Sequence, residues 1–433
     1  MAQTTERPIE SAAPAPEPGS KATLLYRAGQ RFPALRSRNF RVLWLGLIFS
    51  NAGAQVQMVA ESWLILQLTN SPLALGIMSM AWGIPMVVLP MFGGAIADRF
   101  DRITVLKFTQ SVEVVVPLIL GVVIATGHLH VWILYVEAAI GGATLAFDNP
   151  ARQALLPGLV APEELMNATA LNSAVWTGAL MVGPALGGLL LSLVGPAWLF
   201  IINGVTTSAV LYALFTMRDV RNRNESRPER MLERLVGGVR FTWANRGVMA
   251  LMIITAATGI LGRSYNTLLP VFAKDLWHTG PSGYGLLLAA PGLGALIGAF
   301  GTAALGDIEH KGRFVIISNF VYCGSLFVFA LVPPFLGGMA LLAIAGLAST
   351  AFGAAIGTML QFATPGPLRG RVMSLYAIMV MGAPSLGGLL GGAVAESASA
   401  QLAVGGGVLL LGVVTLLLIR PVTRPIPVAL EGA

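Results

Sequence analysis

Long apolar stretches that are nearly free of charge recur along this sequence of 433 residues. A stretch of about 18 or more such residues is long enough to cross the hydrocarbon core of a bilayer as an α-helix. Charged residues make up only 11% of the chain, whereas soluble domains carry about 25%. The sequence therefore predicts an all-α membrane protein in a lipid bilayer. We expect twelve transmembrane helices, at residues 41–68, 72–97, 103–126, 130–149, 165–193, 196–217, 247–273, 281–305, 313–334, 337–362, 370–395 and 401–419.

The basic residues predict how these spans are oriented. If the chain starts inside the cell, all of its 27 lysines and arginines except Arg263 and Lys274 fall at or near cytoplasmic segments. Such an excess of positive charge is typical of cytoplasmic loops. We therefore expect both termini in the cytoplasm. The net charge of +7 is explained by these loops, and we expect no nucleic acid partner.

One long interior loop divides the spans into two sets of six. Its sequence "PERMLERLVGGVRFTWAN" has apolar residues at helical spacing among arginines, which favours an amphipathic helix on the membrane surface over a flexible linker. The predicted organisation is a disordered cytoplasmic N-terminal tail, an N-terminal six-helix bundle, a cytoplasmic linker, a C-terminal six-helix bundle and a cytoplasmic C-terminal tail. These occupy residues 1–40, 41–217, 218–246, 247–420 and 421–433.

The two halves of the chain repeat each other. The stretch "MVGPALGGLLL" at Met181 returns as "MGAPSLGGLLG" at Met381, and Gly76 and Gly83 are matched by Gly285 and Gly292. Two six-helix halves that run in the same direction form the parallel repeat of secondary transporter folds.

Several function classes have no support in the sequence. Cys323 is the one cysteine and the four histidines are scattered, so no metal site is expected. We find no nucleotide-binding loop and no catalytic constellation. The sequence predicts neither an enzyme nor a cofactor, and any transport must draw on an ion gradient or on the substrate's own gradient.

Ionisable residues inside the spans are the candidates for proton coupling, because charges in a membrane are costly and tend to be functional. Ser50, Gly53, Gln57 and Glu61 share one face of the first span, which we expect to face a central cavity. Burial disfavours the charged form of a carboxyl group, so Glu61 is either a proton carrier or a structural partner of Arg263.

Glu137 and Asp148 are the other proton-coupling candidates, and we expect a structural hydrogen-bonding role for Glu113. Arg263 is the one basic residue well inside a predicted span, and it could bind an anionic substrate group or pair with Glu61 or Glu137. Aromatic residues near span ends are often interface anchors instead. The candidates for the substrate cavity are Gln57, Arg263, Tyr265, Asn266, Gln361 and Trp176.

Two motifs give the chain a family resemblance. "GAIADRFDR", Gly94 to Arg102, is similar to the G-x-x-x-D-R-x-x-R signature of the major facilitator superfamily, and "GPALGG", with Gly183, Pro184, Gly187 and Gly188, is similar to its antiporter motif. The stretches "FDNPARQALLPGLV" and "LRGRVMSLYAIM" resemble its branch of bacterial drug and siderophore exporters, which includes transmembrane secretion effectors.

The resemblance implies a monomeric secondary active exporter in the bacterial inner membrane. Its two halves would move alternately around a central cavity and exchange protons for a small amphipathic molecule such as a drug or siderophore. An importer or facilitator, or a receptor or scaffold that does not transport, is the alternative. The family's arginine within the fourth span has no counterpart at 130–149, which departs from the standard proton relay of drug antiporters.

The resemblance also implies a gate. Gly94, Asp98, Arg99 and Arg102 would form a latch with the eleventh span that closes the cytoplasmic side, or the arginines would merely hold their loop inside. The proline bend at Pro184 would act as a seal against proton leak.

Overall fold

The computed structural model describes residues 32–97, 101–217, 231–306 and 308–424. In these ranges, twelve helices are long and apolar enough to cross a membrane, which confirms the predicted fold class. They are α1 Arg38–Thr69, α2 Pro72–Ala97, α3 Arg102–Ala125, α4 Val131–Leu159, α5 Leu165–Val194, α6 Pro196–Thr216, α7 Arg246–Leu276, α8 Gly280–Leu305, α9 Lys311–Ala330, α10 Phe335–Ala363, α11 Gly366–Ser397 and α12 Ala400–Thr423.

Helix α4 is longer than the sequence predicts. The predicted fourth span ends at residue 149, directly before Pro150, but the helix continues through Pro150 and Pro157 to Leu159. A proline removes one backbone hydrogen bond, and membrane helices tolerate this where neighbouring helices satisfy the freed group. The extension carries Arg152 on a helix.

The helices form two halves, α1–α6 and α7–α12, that pack as parallel repeats. Helix α1 packs on α5 and α6, while α2 packs against α11 and α8 packs against α5 across the boundary between the halves. We call the end of the bundle where α1 begins the basic end, because the arginine-rich loops join helices there. We call the other end of the bundle the opposite end.

Buried apolar side chains show how the halves meet. At the opposite end one cluster runs through both halves, and within it Trp63 of α1 stacks on Tyr284 of α8 with ring centroids 6.0 Å apart. At the basic end, the described residues form two separate clusters, one around Leu43 and Leu155 and one around Leu251 and Ile356. The halves therefore share a core at the opposite end and have separate cores at the basic end.

The glycines of the repeated motif let the helices approach closely. A side chain on Gly187 of α5 would lie 3.0 Å from Cα of Val56 in α1, and one on Gly387 of α11 would lie 2.7 Å from the Gly259 carbonyl oxygen in α7. Across the boundary between the halves, a side chain on Gly188 would lie 2.8 Å from Cα of Gly285. Small residues at such contacts allow membrane helices to pack by van der Waals interactions.

The loop between the halves contains a short helix, Met231–Ala244, which we call the linker helix. Gly237 and Gly238 bring it against α11, since a side chain on Gly238 would lie 2.8 Å from the carbonyl oxygen of Arg371. A helix was predicted in this loop, and it docks on α11 through these two glycines.

Candidate functional site

A buried polar network joins three helices of the N-terminal half. Gln57 of α1 donates through Nε2 to Glu61 of the same helix and to Oε1 of Glu137 in α4, the latter at 2.8 Å. Its Oε1 accepts from Nδ2 of Asn203 in α6 at 2.6 Å, and the side-chain Oδ1 of Asn203 accepts from the Thr207 hydroxyl at 3.2 Å. We call Gln57, Glu61, Glu137 and Asn203 the acid network.

The polar face of α1 points into its own half. Gln57 is buried, Ser50 shares a hydrogen bond with Thr207 of α6, and a side chain on Gly53 would meet Asn203 at 3.0 Å. We expected this face and Gln57 to line a central cavity, and the structure differs: the amide of Gln57 is occupied by neighbouring side chains. Unpaired polar groups are costly in lipid, so the polar face turns towards the partners that α4 and α6 supply.

The two carboxyl groups of the acid network differ in exposure. Glu61 is partly exposed, whereas Glu137 is buried and its Oε2 has no hydrogen-bond partner. Both carboxyl groups contact the same amide nitrogen, so they lie side by side. Two carboxylates that share one buried site cannot both remain ionised, and their protonation is a property of the pair. This arrangement can therefore hold and release a proton.

A second polar cluster ties α3 to α4 nearer the basic end. Asp148 accepts through Oδ1 from Gln110 at 3.0 Å and from Thr109 at 3.3 Å, and through Oδ2 from Arg152, whose Nε lies at 2.9 Å. Glu113 accepts from Gln110 at 3.1 Å. Both oxygens of Asp148 are occupied, so its contacts are those of a residue that holds two helices together. This contact of Glu113 is a hydrogen bond to a neighbouring side chain of α3, which is the type of role expected for it.

Arg263 lies where α7 departs from regular α-helix. The residues Thr258–Gly262 form a π-helical turn directly before it, a feature that is frequent at functional sites. The Tyr322 hydroxyl donates to the Gly262 carbonyl at 2.9 Å, and Arg263 donates through Nη2 to Ser349 of α10 at 3.4 Å. No ion pair joins Arg263 to Glu61 or Glu137 in this structure, so neither predicted pairing is formed here.

The other cavity candidates are dispersed. Tyr265 is buried in α7, and Asn266 beside it is exposed. Trp176 of α5 is 50% exposed, and Gln361 is exposed at the basic end of α10, where its carbonyl accepts from Arg369 at 3.1 Å. The structure does not bring these residues together at one site.

Only part of the predicted latch can be located. Asp98 and Arg99 lie outside the described residues, and Gly94 belongs to the last two turns of α2. Arg102 begins α3 and donates to the Ala154 carbonyl of α4 at 2.9 Å, a bond within the N-terminal half. The latch with α11 therefore remains a prediction.

The antiporter-type motif lies inside α5. Gly183 and Gly187 face α1, where a side chain on Gly183 would meet Cβ of Gln55 at 2.5 Å, and Gly188 faces α8 of the other half. Pro184 is buried within the helix. This one motif therefore packs α5 both within its own half and across the boundary between the halves.

Hydrogen bonds near the opposite end join the halves at residues that our sequence reasoning missed. Glu396 of α11 accepts through Oε2 from the Ser71 hydroxyl at 2.8 Å and from the Leu73 amide at 3.3 Å, both at the start of α2. Lys274 of α7 donates to the Asn70 side chain at 2.6 Å. We call these five residues the outer clamp. Their only signal in the sequence was a position near predicted span ends, which many polar residues share.

Comparisons with known proteins agree with this architecture. The family described as "Transmembrane secretion effector" matches residues 30–428. The chain is 28% identical to the multidrug efflux pump Tap of Mycolicibacterium fortuitum over 393 residues, which cover 86% of this chain and 93% of that protein. It is 29% identical to the enterobactin exporter EntS of Shigella boydii over 407 residues, covering 90% and 93%.

Solved transporter structures share the fold. The nucleoside transporter NupG superposes with a TM-score of 0.73 at 13% identity and covers 90% of this chain and 100% of its own. A bacterial homologue of the human lysosomal transporter Spinster superposes with a TM-score of 0.66 at 15% identity, covering 90% and 95%. At these identities the likeness concerns the fold alone.

Proposed function

Because this chain belongs to the transmembrane secretion effector family of the major facilitator superfamily, which consists of transporters and not enzymes, we propose that it is a proton-coupled exporter. It moves a small amphipathic molecule out of the cell by alternating access. The observation that carries the proposal is the pair of carboxyl groups, Glu61 and Glu137, on one buried amide. The similarity to Tap, an efflux pump, and to EntS, an exporter, supports the direction of transport.

The acid network supplies the proton site of this proposal. Glu61 is the partly exposed member and exchanges its proton with water, while buried Glu137 is held beside it by the same Gln57 amide. Gaining or losing a proton changes the net charge of a site in a low-dielectric interior. Such a change can shift a conformational equilibrium only by the difference in affinity between the two states. Proton coupling therefore requires that the two conformations hold this pair differently.

The arrangement of the halves supplies the access mechanism. The opposite end is joined by a shared apolar core and by the outer clamp, whereas the basic end has a separate core in each half. If the basic end faces the cytoplasm, as the arginine-rich loops predict, this conformation is closed towards the outside. A single chain contains both halves, so one copy is sufficient for the cycle.

The test uses purified protein in liposomes with a fluorescent amphipathic dye and an imposed pH gradient. We expect dye transport that a protonophore abolishes, and we expect Glu61→Gln and Glu137→Gln to lose the dependence on the gradient. Glu113→Gln is the matched control, because it makes the same chemical change inside a span but outside the acid network. Transport that persists without a gradient, or a full response to the gradient in Glu61→Gln, would contradict the proposal.

A further inference from the structure

The C-terminal half contains one charge deep inside its helices and no counter-charge at that depth. Arg263 lies about 25 Å along α7 from the basic end and about 20 Å from the other, at 1.5 Å per residue. The acidic residues of this half that the structure describes all lie near helix ends or in loops. They are Asp275, Glu309 and Glu396, while Asp307 falls outside the described residues. Arg263 is therefore a positive charge deep in this half with no negatively charged residue of the same half at that depth.

The neighbours of Arg263 are neutral hydrogen-bonding groups. Among the described residues its guanidinium makes one hydrogen bond, the long 3.4 Å bond to Ser349, and no carboxylate there forms an ion pair with it. Tyr376 of α11 is half-buried nearby in the same half and donates to the Gly353 carbonyl at 3.3 Å. The acid pair across the boundary is already engaged with Gln57.

A guanidinium remains charged in proteins and presents a planar fork of donors that matches an oxyanion. A charged side chain in the middle of a membrane is costly and is normally balanced by a partner or a ligand. Since the protein supplies no acid to Arg263 here, the balancing charge has to come with another molecule. We propose that Arg263 binds the anionic group of the transported molecule, with Ser349 as a neighbouring hydroxyl.

This inference rests on the proposed export function and names its substrate class: an apolar molecule with one carboxylate, sulfonate or phosphate group. The apolar body would lie in the boundary between the halves, beside the shared apolar cluster to which Trp63 and Tyr284 belong. The charges of the two halves then have separate tasks. The acid network binds the proton and Arg263 binds the anionic group, so a proton and a negatively charged substrate do not compete for one group.

The test compares two dyes of the same skeleton. Anilinonaphthalene sulfonate carries an anionic group, and N-phenylnaphthylamine lacks it. Saturable binding of each dye is measured with purified protein in nanodiscs, against empty nanodiscs. We expect wild type to prefer the sulfonate dye by at least about tenfold, equal to about 1.4 kcal/mol. Arg263→Gln should remove this preference and leave binding of the neutral dye within about twofold.

Two further variants separate a binding role from a structural one. Arg263→Lys keeps the charge without the fork and should restore part of the preference. Arg313→Gln is the matched control, because it removes an exposed arginine at the start of α9. It should leave the affinity for both dyes unchanged. Three results would overturn the inference. Wild type could bind both dyes with equal affinity, it could show no saturable binding of the sulfonate dye, or Arg263→Gln could lower the affinity for both dyes equally.

These outcomes can be told apart from failure of the proposed function, because equilibrium binding needs no gradient. Gradient-driven export of the neutral dye without a preference for the sulfonate dye would support the proposed export function and refute the anion site. If binding of the sulfonate dye depends on Arg263 but dye transport does not respond to a proton gradient, the anion site is supported and proton coupling is refuted.

Discussion

Replacing Glu396 should open the opposite end of the protein. Its Oε2 accepts from the Ser71 hydroxyl and from the backbone amide of Leu73 in the first turn of α2. A carboxylate there satisfies a free amide at a helix N-terminus and interacts favourably with the helix dipole. Because this carboxylate belongs to the other half of the protein, both contacts must break whenever the halves separate at this end.

The size of the effect follows from these contacts. Hydrogen bonds to a charged group contribute about 1.5–3 kcal/mol when buried, and Glu396 is exposed, so screening reduces the sum. We therefore expect Glu396→Ala to shift the equilibrium towards opening by about 1–2 kcal/mol, or roughly 5- to 30-fold in population. Glu396→Gln keeps an acceptor oxygen and loses the charge, so roughly 2- to 5-fold is expected from the halved strength of a neutral bond.

The assay follows opening at a buried position of the boundary. Ser385 of α11 is 4% exposed and lies against Gly83 of α2. In a Cys323→Ala background, Ser385→Cys is labelled with a membrane-impermeant thiol reagent added at the opposite end. When reclosing is faster than labelling, the labelling rate is proportional to the open population.

The control is Glu309→Ala, which removes an exposed carboxylate between α8 and α9 at the basic end. It should leave the labelling rate unchanged. A rate in Glu396→Ala within twofold of wild type would refute the reasoning, and so would an equal rise in Glu309→Ala.

Three further substitutions test the packing. Gly188→Val should raise the same labelling rate and reduce transport, because a side chain there would lie 2.8 Å from Cα of Gly285 across the boundary. Gly183→Val should raise passive proton leak into dye-free liposomes, since α5 would be pushed from α1, while thermal unfolding still shows a folded protein. Arg152→Gln should lower the unfolding temperature, because removing one partner of a buried ion pair costs about 3–5 kcal/mol, reduced here because Arg152 is 21% exposed and Asp148 keeps two other donors.

The architecture could be predicted from the sequence because bilayer thickness and backbone hydrogen bonding leave few options. A long apolar run has to become a helix in lipid, and a repeated motif has to make repeated contacts. The end of α4 was predicted less well, because a proline marks where a helix can break and not where it must. Whether it breaks depends on the neighbouring helices, which a single sequence does not show.

The candidate site was predicted only in part. The polarity of Gln57, Glu61 and Glu137 inside apolar runs identified them as unusual, but Asn203 was missed although it lies in an equally apolar run. The sequence gives the face of a helix that a residue occupies, and it does not say which neighbouring helix that face meets. This is why Gln57 was expected in a cavity and is found between α1, α4 and α6.

The two halves repeat their packing and differ in their chemistry. Gly187 and Gly188 of α5 make contacts with α1 and α8 that Gly387 and Gly388 of α11 repeat with α7 and α2. Packing alone would therefore be satisfied by halves with the same charges. Instead, the deep carboxyl groups lie in the N-terminal half and the deep guanidinium, Arg263, lies in the C-terminal half. Since each of these groups is costly in a membrane and the fold does not require the difference, the asymmetry supports the proposed transport cycle, in which the proton and the cargo bind to different groups.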